Sequence, residues 1–243
     1  MSEPLTLLVI GLTFLLGGAV KGVIGMGMPT IALALLTASV GLPAAVALML
    51  VPTFITNVWQ ALVGGQLKLI VLRLWPFLIA ALVAIWPGVT LLARLDPGWL
   101  STLLGVLIVT YALLNLWRRQ SLNVRHERRA GVACGVVNGM LTGMTGSSVF
   151  PGVPYLQALG LPREVLIQAM GVLFTLSTLV LAASMGGQRL LDAELVGISS
   201  LAVLPALLGM RLGRRLRPRL SEQVFRRCFF MGLLLLGGYL ILG

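Results

Sequence analysis

Ten apolar runs follow one another along this chain, five in each half, separated by gaps too short to hold a soluble domain. In the first half they run roughly from Leu5 to Val23, Met28 to Val40, Pro43 to Val63, Ile70 to Ala93 and Trp99 to Trp117. In the second they run roughly from Gly131 to Leu141, Val149 to Leu159, Val165 to Met185, Leu195 to Met210 and Val224 to Leu242. Several approach the ~20 residues that a helix needs to cross a bilayer. Only 10% of the 243 residues are charged, against about 25% in a soluble domain, so the chain could not cover a globular surface with charge. The sequence predicts an all-α polytopic membrane protein whose solvent is the lipid bilayer.

The two halves are related. Gly22 matches Gly139 at an offset of 117, and Gly41-Leu42-Pro43 matches Gly160-Leu161-Pro162 at 119. Gly64-Gly65-Gln66 matches Gly186-Gly187-Gln188 at 122, and Arg94-Leu95 with Pro97 matches Arg215-Leu216 with Pro218 at 121. Four landmarks in the same order point to an internal duplication. The first repeat covers about 5–117, a linker about 118–129, and the second repeat about 130–242, all within one membrane transport domain over 1–243.

Basic loops mark the cytoplasmic face of a membrane protein. Arg118, Arg119, Arg125, Arg128 and Arg129 crowd the linker, and Arg211, Arg214, Arg215, Arg217 and Arg219 crowd a second loop that Arg226 and Arg227 extend. Placing 118–129 and 211–219 in the cytoplasm also puts Lys68, Arg73 and Arg163 inside, 15 of the 18 basic residues in all. The Arg94 loop then lies outside while its repeat partner at Arg215 lies inside, so the repeats are expected to be inverted, a common transporter architecture. The opening Met1-Ser2-Glu3-Pro4 has no positive n-region, and the first apolar run is expected to be retained. Trp59, Trp75, Trp86, Trp99 and Trp117 mostly fall near segment ends, where tryptophan anchors a helix at the interface.

The second segment of each half is short, 13 and 11 residues, in the range of re-entrant rather than spanning helices. Each follows a glycine-rich run. Gly17 to Thr30 holds five further-spaced glycines with Lys21 and Pro29, and a degraded copy runs from Asn138 through Gly143 and Gly146 to Pro151. Helix breaks in matching places of two halves are a pointer to a transporter's binding site. Backbone cannot stay unpaired in lipid, so the predicted breaks line a cavity or lie inside protein, and the two broken hairpins are expected to enter from opposite faces and meet near the midplane. Glycine reaches positive φ and lets a ligand approach the backbone. Pro29 suits the first turn of the following helix, whose free N–H groups and positive dipole end favour an anion.

Lys21 is an ammonium inside an apolar run, costly there and so usually functional, unless it snorkels to the interface. All seven acidic residues, Glu3, Asp96, Glu127, Glu164, Asp192, Glu194 and Glu222, fall in loops or at segment ends. An interior with a cation and polar donors but no carboxylate suits an anion and suits a metal cation badly. The expected substrate-binding set is Lys21, Gly22, Gly25 and Gly27 from the first break, and Asn138, Gly143, Thr145, Gly146, Ser147 and Ser148 from the second. Asn57 and Gln168 join them from the third segment of each half.

Other readings of these residues stand beside that one. Polar side chains in apolar segments, here also Thr53, Thr56, Gln60, Thr142, Thr175, Ser177 and Thr178, often only bond neighbouring helices, at ~0.6 kcal/mol on average. Small residues let membrane helices pack closely, which accounts for Gly232, Gly237 and Gly238 in the last segment.

Several function classes fall away. The +11 net charge sits in short gaps as topology determinants do, so nucleic acid is not an expected partner. Cys134, Cys228 and the lone His126 make no metal-ligand spacing, and there is no Gly-x-x-x-x-Gly-Lys-Ser/Thr phosphate loop. No enzyme, metal site or cofactor is expected.

The Gly-x-x-x-Lys-Gly-x-x-Gly-x-Gly pattern at Gly17, Lys21, Gly22, Gly25 and Gly27, with its repeat at Gly139, Gly143 and Gly146 followed by Pro151 and Pro154, resembles the sulfite exporter TauE/SafE family of membrane permeases. The likeness spans nearly the whole chain. It implies movement of sulfite, sulfoacetate or another organosulfonate across the bacterial inner membrane. The second copy departs by carrying Asn138 in place of Lys21 and one extra residue between its glycines, so any paired site is asymmetric. The resulting expectation is a secondary transporter of a small anion working by alternating access, with a coupling ion (proton or sodium) and a homo-oligomer both compatible with it. An anion channel and a non-transporting membrane assembly component are the alternatives.

Overall fold

The computed structural model describes residues 3–117 and 126–243. Eleven α-helices appear among them, with no strand: α1 (Pro4–Ile24), α2 (Met28–Val40), α3 (Leu42–Leu62), α4 (Leu67–Arg94), α5 (Pro97–Trp117), α6 (Glu127–Thr145), α7 (Gly152–Ala158), α8 (Arg163–Gly187), α9 (Ala193–Leu201), α10 (Val203–Leu216) and α11 (Glu222–Leu242). Seven stretches are long and apolar enough to cross a membrane, α9 and α10 counting together as one. The chain is a multi-pass membrane protein. Arg118, Arg119 and Arg125 of the basic linker lie outside the described residues.

The apolar runs become helices nearly where they are expected, the short second run keeping its bounds as α2, with two differences. The ninth run breaks at Ala202, and its second part continues as helix through Arg211, Arg214 and Arg215, so much of the expected 211–219 loop is helical. The run 149–159 yields only the 7 residues of α7, after a cis peptide bond at Phe150–Pro151. α2 is 13 residues long, about 20 Å at helical rise, which is short of a ~30 Å bilayer core.

The chain packs as two compact units that do not coincide with its two halves. One gathers α1, α2, α3 as far as Pro52, α5, α9, α10 and α11. The other gathers the rest of α3, α4, α6, α7 and α8. The first unit therefore takes the fourth and fifth segments of the second half, and the second unit takes the fourth segment of the first half with the end of its third.

In the first unit the seam is α1 on α10. A Cβ at Gly18 or Gly22 would run into the backbone at Ala206 or Met210, and one at Gly209 or Gly213 into the carbonyls of Leu15 or Ala19. Small residues on both sides bring the two backbones together, which is how helices gain dispersion contact where lipid offers no hydrophobic drive. Gly105 and Gly237 meet in the same way between α5 and α11, whereas Gly232 and Gly238 have no atom within 4 Å of a built Cβ. Packing thus explains one of the three late glycines.

Pro52 interrupts this unit's share of α3. Proline has no N–H, so the Leu48 carbonyl loses its helical donor. The Ser199 hydroxyl of α9, fully buried, donates to Leu48 O at 2.7 Å and accepts from Val51 N–H at 3.2 Å.

In the second unit the seam is α6 on α4. Gly135, Gly139 and Gly143 face the carbonyls of Phe77, Ala81 and Ile85, and Gly88 faces that of Met140. α7 turns back along α6: the Tyr155 hydroxyl donates to Glu127 O at 3.1 Å and its ring lies 4.8 Å from that of Phe77. Arg73 of α4 forms a two-pronged ion pair with Glu127, at 2.8 and 3.0 Å. α3 and α8 are joined by two glutamines. Gln60 Nε2 donates to Ile167 O and Gln168 Nε2 to Ala61 O, each at 2.8 Å, while Gln168 Oε1 accepts from Gln66 N–H at 3.0 Å.

Outward faces carry large apolar side chains such as Leu72, Val83, Leu204 and Leu235, and all five tryptophans are exposed, as lipid-facing and interfacial residues would be.

Candidate functional site

The predicted site residues fall on both units, and each group has its own geometry. In the first unit α1 runs to Ile24 and stops at Gly25, whose φ of 83° is left-handed and whose N–H bonds back to Lys21 O at 2.8 Å. Gly27, at φ 100°, caps the start of α2, and its carbonyl accepts from Ile31 N–H at 3.0 Å. Two left-handed residues separated only by Met26 turn the chain within three positions, where other L-residues cost ~1–2 kcal/mol each. Pro29 lies in the first turn of α2, the place where a missing N–H costs nothing.

Lys21 stands one turn before this break and is 4% exposed. It is the one charged side chain buried among the described residues, and at that burial it does not reach the surface to snorkel. Gly22, next to it, packs against α10, and this close approach keeps the Lys21 turn at the centre of the unit. Thr13 and Thr30 are also buried on α1 and α2.

Three side chains that sequence reasoning overlooked wall the break. The Tyr111 hydroxyl of α5 reaches Met26 Sδ at 3.4 Å. A Cβ on Gly27 would lie 2.7 Å from the Phe229 ring of α11. Phe230 packs against Phe229 at 5.0 Å and edge-on to Tyr111 at 5.5 Å. A phenol in the middle of an apolar run needs a partner, and that was the available signal for Tyr111.

The break of the second unit is held largely by its own hydrogen bonds, although Asn138 Oδ1 stays buried without a partner. α6 ends at Thr145, and Gly146, at φ 75°, donates to Thr142 O at 2.7 Å. Asn138, which stands where the first copy has Lys21, is fully buried. Its Nδ2 donates to Ser148 O at 3.0 Å and Phe150 O at 3.4 Å, so it staples the strand-like return to α6. The Thr142 hydroxyl donates to Asn138 O at 2.6 Å and lies 3.2 Å from Ser148 Oγ. Thr145 Oγ1 donates to Leu141 O at 2.7 Å and accepts from Ser147 N–H at 3.3 Å.

Hydroxyls used in this way have turned back onto their own helix. Gly143 lies in the α6–α4 seam, and Gln168 has both ends of its amide engaged between α3 and α8. Asn57 is fully buried on the part of α3 that belongs to this unit. The structure thus brings Asn138, Thr145, Gly146, Ser147 and Ser148 into one hydrogen-bonded turn and leaves Asn57 and Gln168 on the α3 and α8 helices.

Chemically the two breaks differ. The first offers a buried ammonium, a phenol and the start of a helix; the second offers a turn whose polar groups largely bond one another, with Asn138 Oδ1 left buried without a hydrogen-bond partner. Among the described residues no group of three or more His, Cys, Asp or Glu is placed to hold a metal, and Cys134 and Cys228 are free thiols.

The pattern described as sulfite exporter TauE/SafE matches residues 10–240. Comparison with curated proteins and with solved structures gives no match.

Proposed function

Because the chain belongs to the sulfite exporter TauE/SafE family of membrane transporters, we propose that it is a secondary transporter moving sulfite or an organosulfonate across the bacterial inner membrane. The observation that carries this reading is Lys21, buried at 4% exposure one turn before the left-handed pair Gly25 and Gly27. A buried ammonium inside a membrane segment is costly and marks an ion or substrate pathway, and a tetrahedral or pyramidal oxyanion presents several acceptor oxygens to it. The N-terminal turn of α2 adds N–H groups and the positive end of the helix dipole. Asn138 and the hydroxyls of Thr145, Ser147 and Ser148 hold the second break in shape, so the anion's main partner is the first.

In this reading transport proceeds by alternating access, one part of the protein rocking against the other around the site. The basic segments 118–129 and 211–219 face the cytoplasm in this scheme. A proton or sodium gradient drives the cycle, or the anion's own gradient does.

The test is thermal unfolding of the detergent-purified protein against a panel of anions. Binding to the folded state alone raises stability by ~2.7 kcal/mol at one hundred times the dissociation constant. Stabilisation by sulfite or a sulfonate that disappears in Lys21→Met is the expected outcome. Equal stabilisation of wild type and Lys21→Met would overturn the assignment of the site.

A further inference from the structure

Tyr111 is 3% exposed and set in α5. Asn115 Nδ2 donates to Tyr111 O at 2.9 Å, one turn along, and Asn115 Oδ1 in turn accepts from Arg226 at 3.4 Å. Arg226 stands 5.7 Å over the ring of Phe230, which packs edge-on to Tyr111. The Tyr111 ring packs edge-on against Phe230, and its hydroxyl reaches the first break. What it meets there is the sulfur of Met26 at 3.4 Å.

A thioether is a weak acceptor, whereas a hydrogen bond to an ionised oxygen is roughly twice as strong as one between neutral groups. Met26 itself lies between the two left-handed glycines and is only partly buried. A phenol donor thus rests on a weak acceptor, in the same break that the buried Lys21 precedes by one turn.

We infer that Tyr111 is a substrate-binding hydroxyl, which leaves Met26 Sδ and donates to an oxygen of the anion when the first break is occupied. This rests on the anion-transport reading above and adds to it the residue that selects for a hydrogen-bond-accepting oxyanion. Met26 is then the competitor that occupies the hydroxyl in the empty site. Phe229, against Gly27, closes the same wall with an apolar face that leaves the phenol as the directed donor from this side.

The experiment measures binding of radiolabelled sulfite to the purified full chain, for wild type, Lys21→Met, Tyr111→Phe, Met26→Leu and the double variant of positions 26 and 111. Tyr111→Phe is expected to weaken binding about tenfold, the loss of one hydrogen bond to a charged group. Met26→Leu removes the competing acceptor and is expected to tighten binding, and the double variant is expected to match Tyr111→Phe. If the Tyr111–Met26 contact were only a structural tie, both single variants would weaken sulfite binding in parallel with a fall in the melting temperature of the empty protein; that result overturns the inference.

Should Tyr111→Phe fail to fold, Met26→Leu still decides, since weaker binding at unchanged melting temperature contradicts a competitor. Wild-type binding that is lost in Lys21→Met but intact in Tyr111→Phe sinks the Tyr111 assignment alone. No sulfite binding by wild type sinks sulfite as the ligand and this inference with it, and the transport reading falls as well if no sulfonate of the panel stabilises the protein.

Discussion

The hydroxyl of Ser199 donates to the carbonyl of Leu48 at 2.7 Å, the group that Pro52 leaves without a helical donor. Ser199→Ala therefore orphans the buried Leu48 carbonyl and removes the Val51 N–H contact. Leaving such groups unpaired costs about 1–3 kcal/mol, and thermal unfolding in detergent would read it as a lower Tm. Pro52→Ala restores an N–H for Leu48, so adding it to Ser199→Ala should return part of the loss. A double variant less stable than either single one would contradict this account of the proline.

The glycine seams make opposite predictions for residues of one type. Gly139→Ala and Gly213→Ala each drive a methyl into a carbonyl of the facing helix, an overpacking that costs about 1–3 kcal/mol or more. Gly238→Ala meets open space and should gain about 0.5–1 kcal/mol from reduced backbone entropy in the unfolded chain. Comparing the Tm of the three variants checks the seam assignment, and equal shifts would refute it.

At the breaks the strain is conformational. Gly25→Ala and Gly146→Ala place an L-residue at φ 83° and 75°, each costing ~1–2 kcal/mol. Gly27→Ala should cost more, because its Cβ also meets Phe229 at 2.7 Å. The ranking Gly27 above Gly25 and Gly146 in lost stability is the checkable outcome.

Gln60→Leu and Gln168→Leu each remove a cross-link between α3 and α8. Side-chain hydrogen bonds between membrane helices are worth about 0.6–1.7 kcal/mol, and these two serve one junction, so their losses should be non-additive in a double-mutant cycle. Strict additivity would mean that the two amides act separately.

The spanning helices were legible because hydropathy alone decides whether a segment can live in lipid. Boundaries such as Leu42, Leu67 and Pro97 follow Gly41, Gly65 and Asp96, where turn residues end the apolar runs. The positive φ of Gly25, Gly27 and Gly146 likewise follows from clustered glycine beside proline. Less legible was the use of individual glycines: Gly22, Gly139 and Gly143 pack against helices remote in sequence, and no local pattern distinguishes a packing glycine from one that bends the chain.

Gln168 offered the same ambiguity, since an amide in an apolar run serves a ligand or a neighbour equally well by composition. Asn138 looked like the counterpart of Lys21, but its amide bonds the turn that follows it. Tyr111 and Phe229 were missed because they reach the break from α5 and α11, far along the chain. The division at Ala202 has no glycine, and Pro205 three residues later was its only mark.

The exchange of fourth segments has a consequence for how the protein is made. Gly18 finds its partner helix at Gly209, 191 residues later, which at ~5–20 residues per second is a wait of roughly 10–40 s at the ribosome. During that time α1 sits in the bilayer with its glycine face uncovered, and α4 waits in the same way for α6. Neither half can finish folding first. Cutting the chain in the linker should give two fragments that are degraded when expressed singly and rescue each other when expressed together.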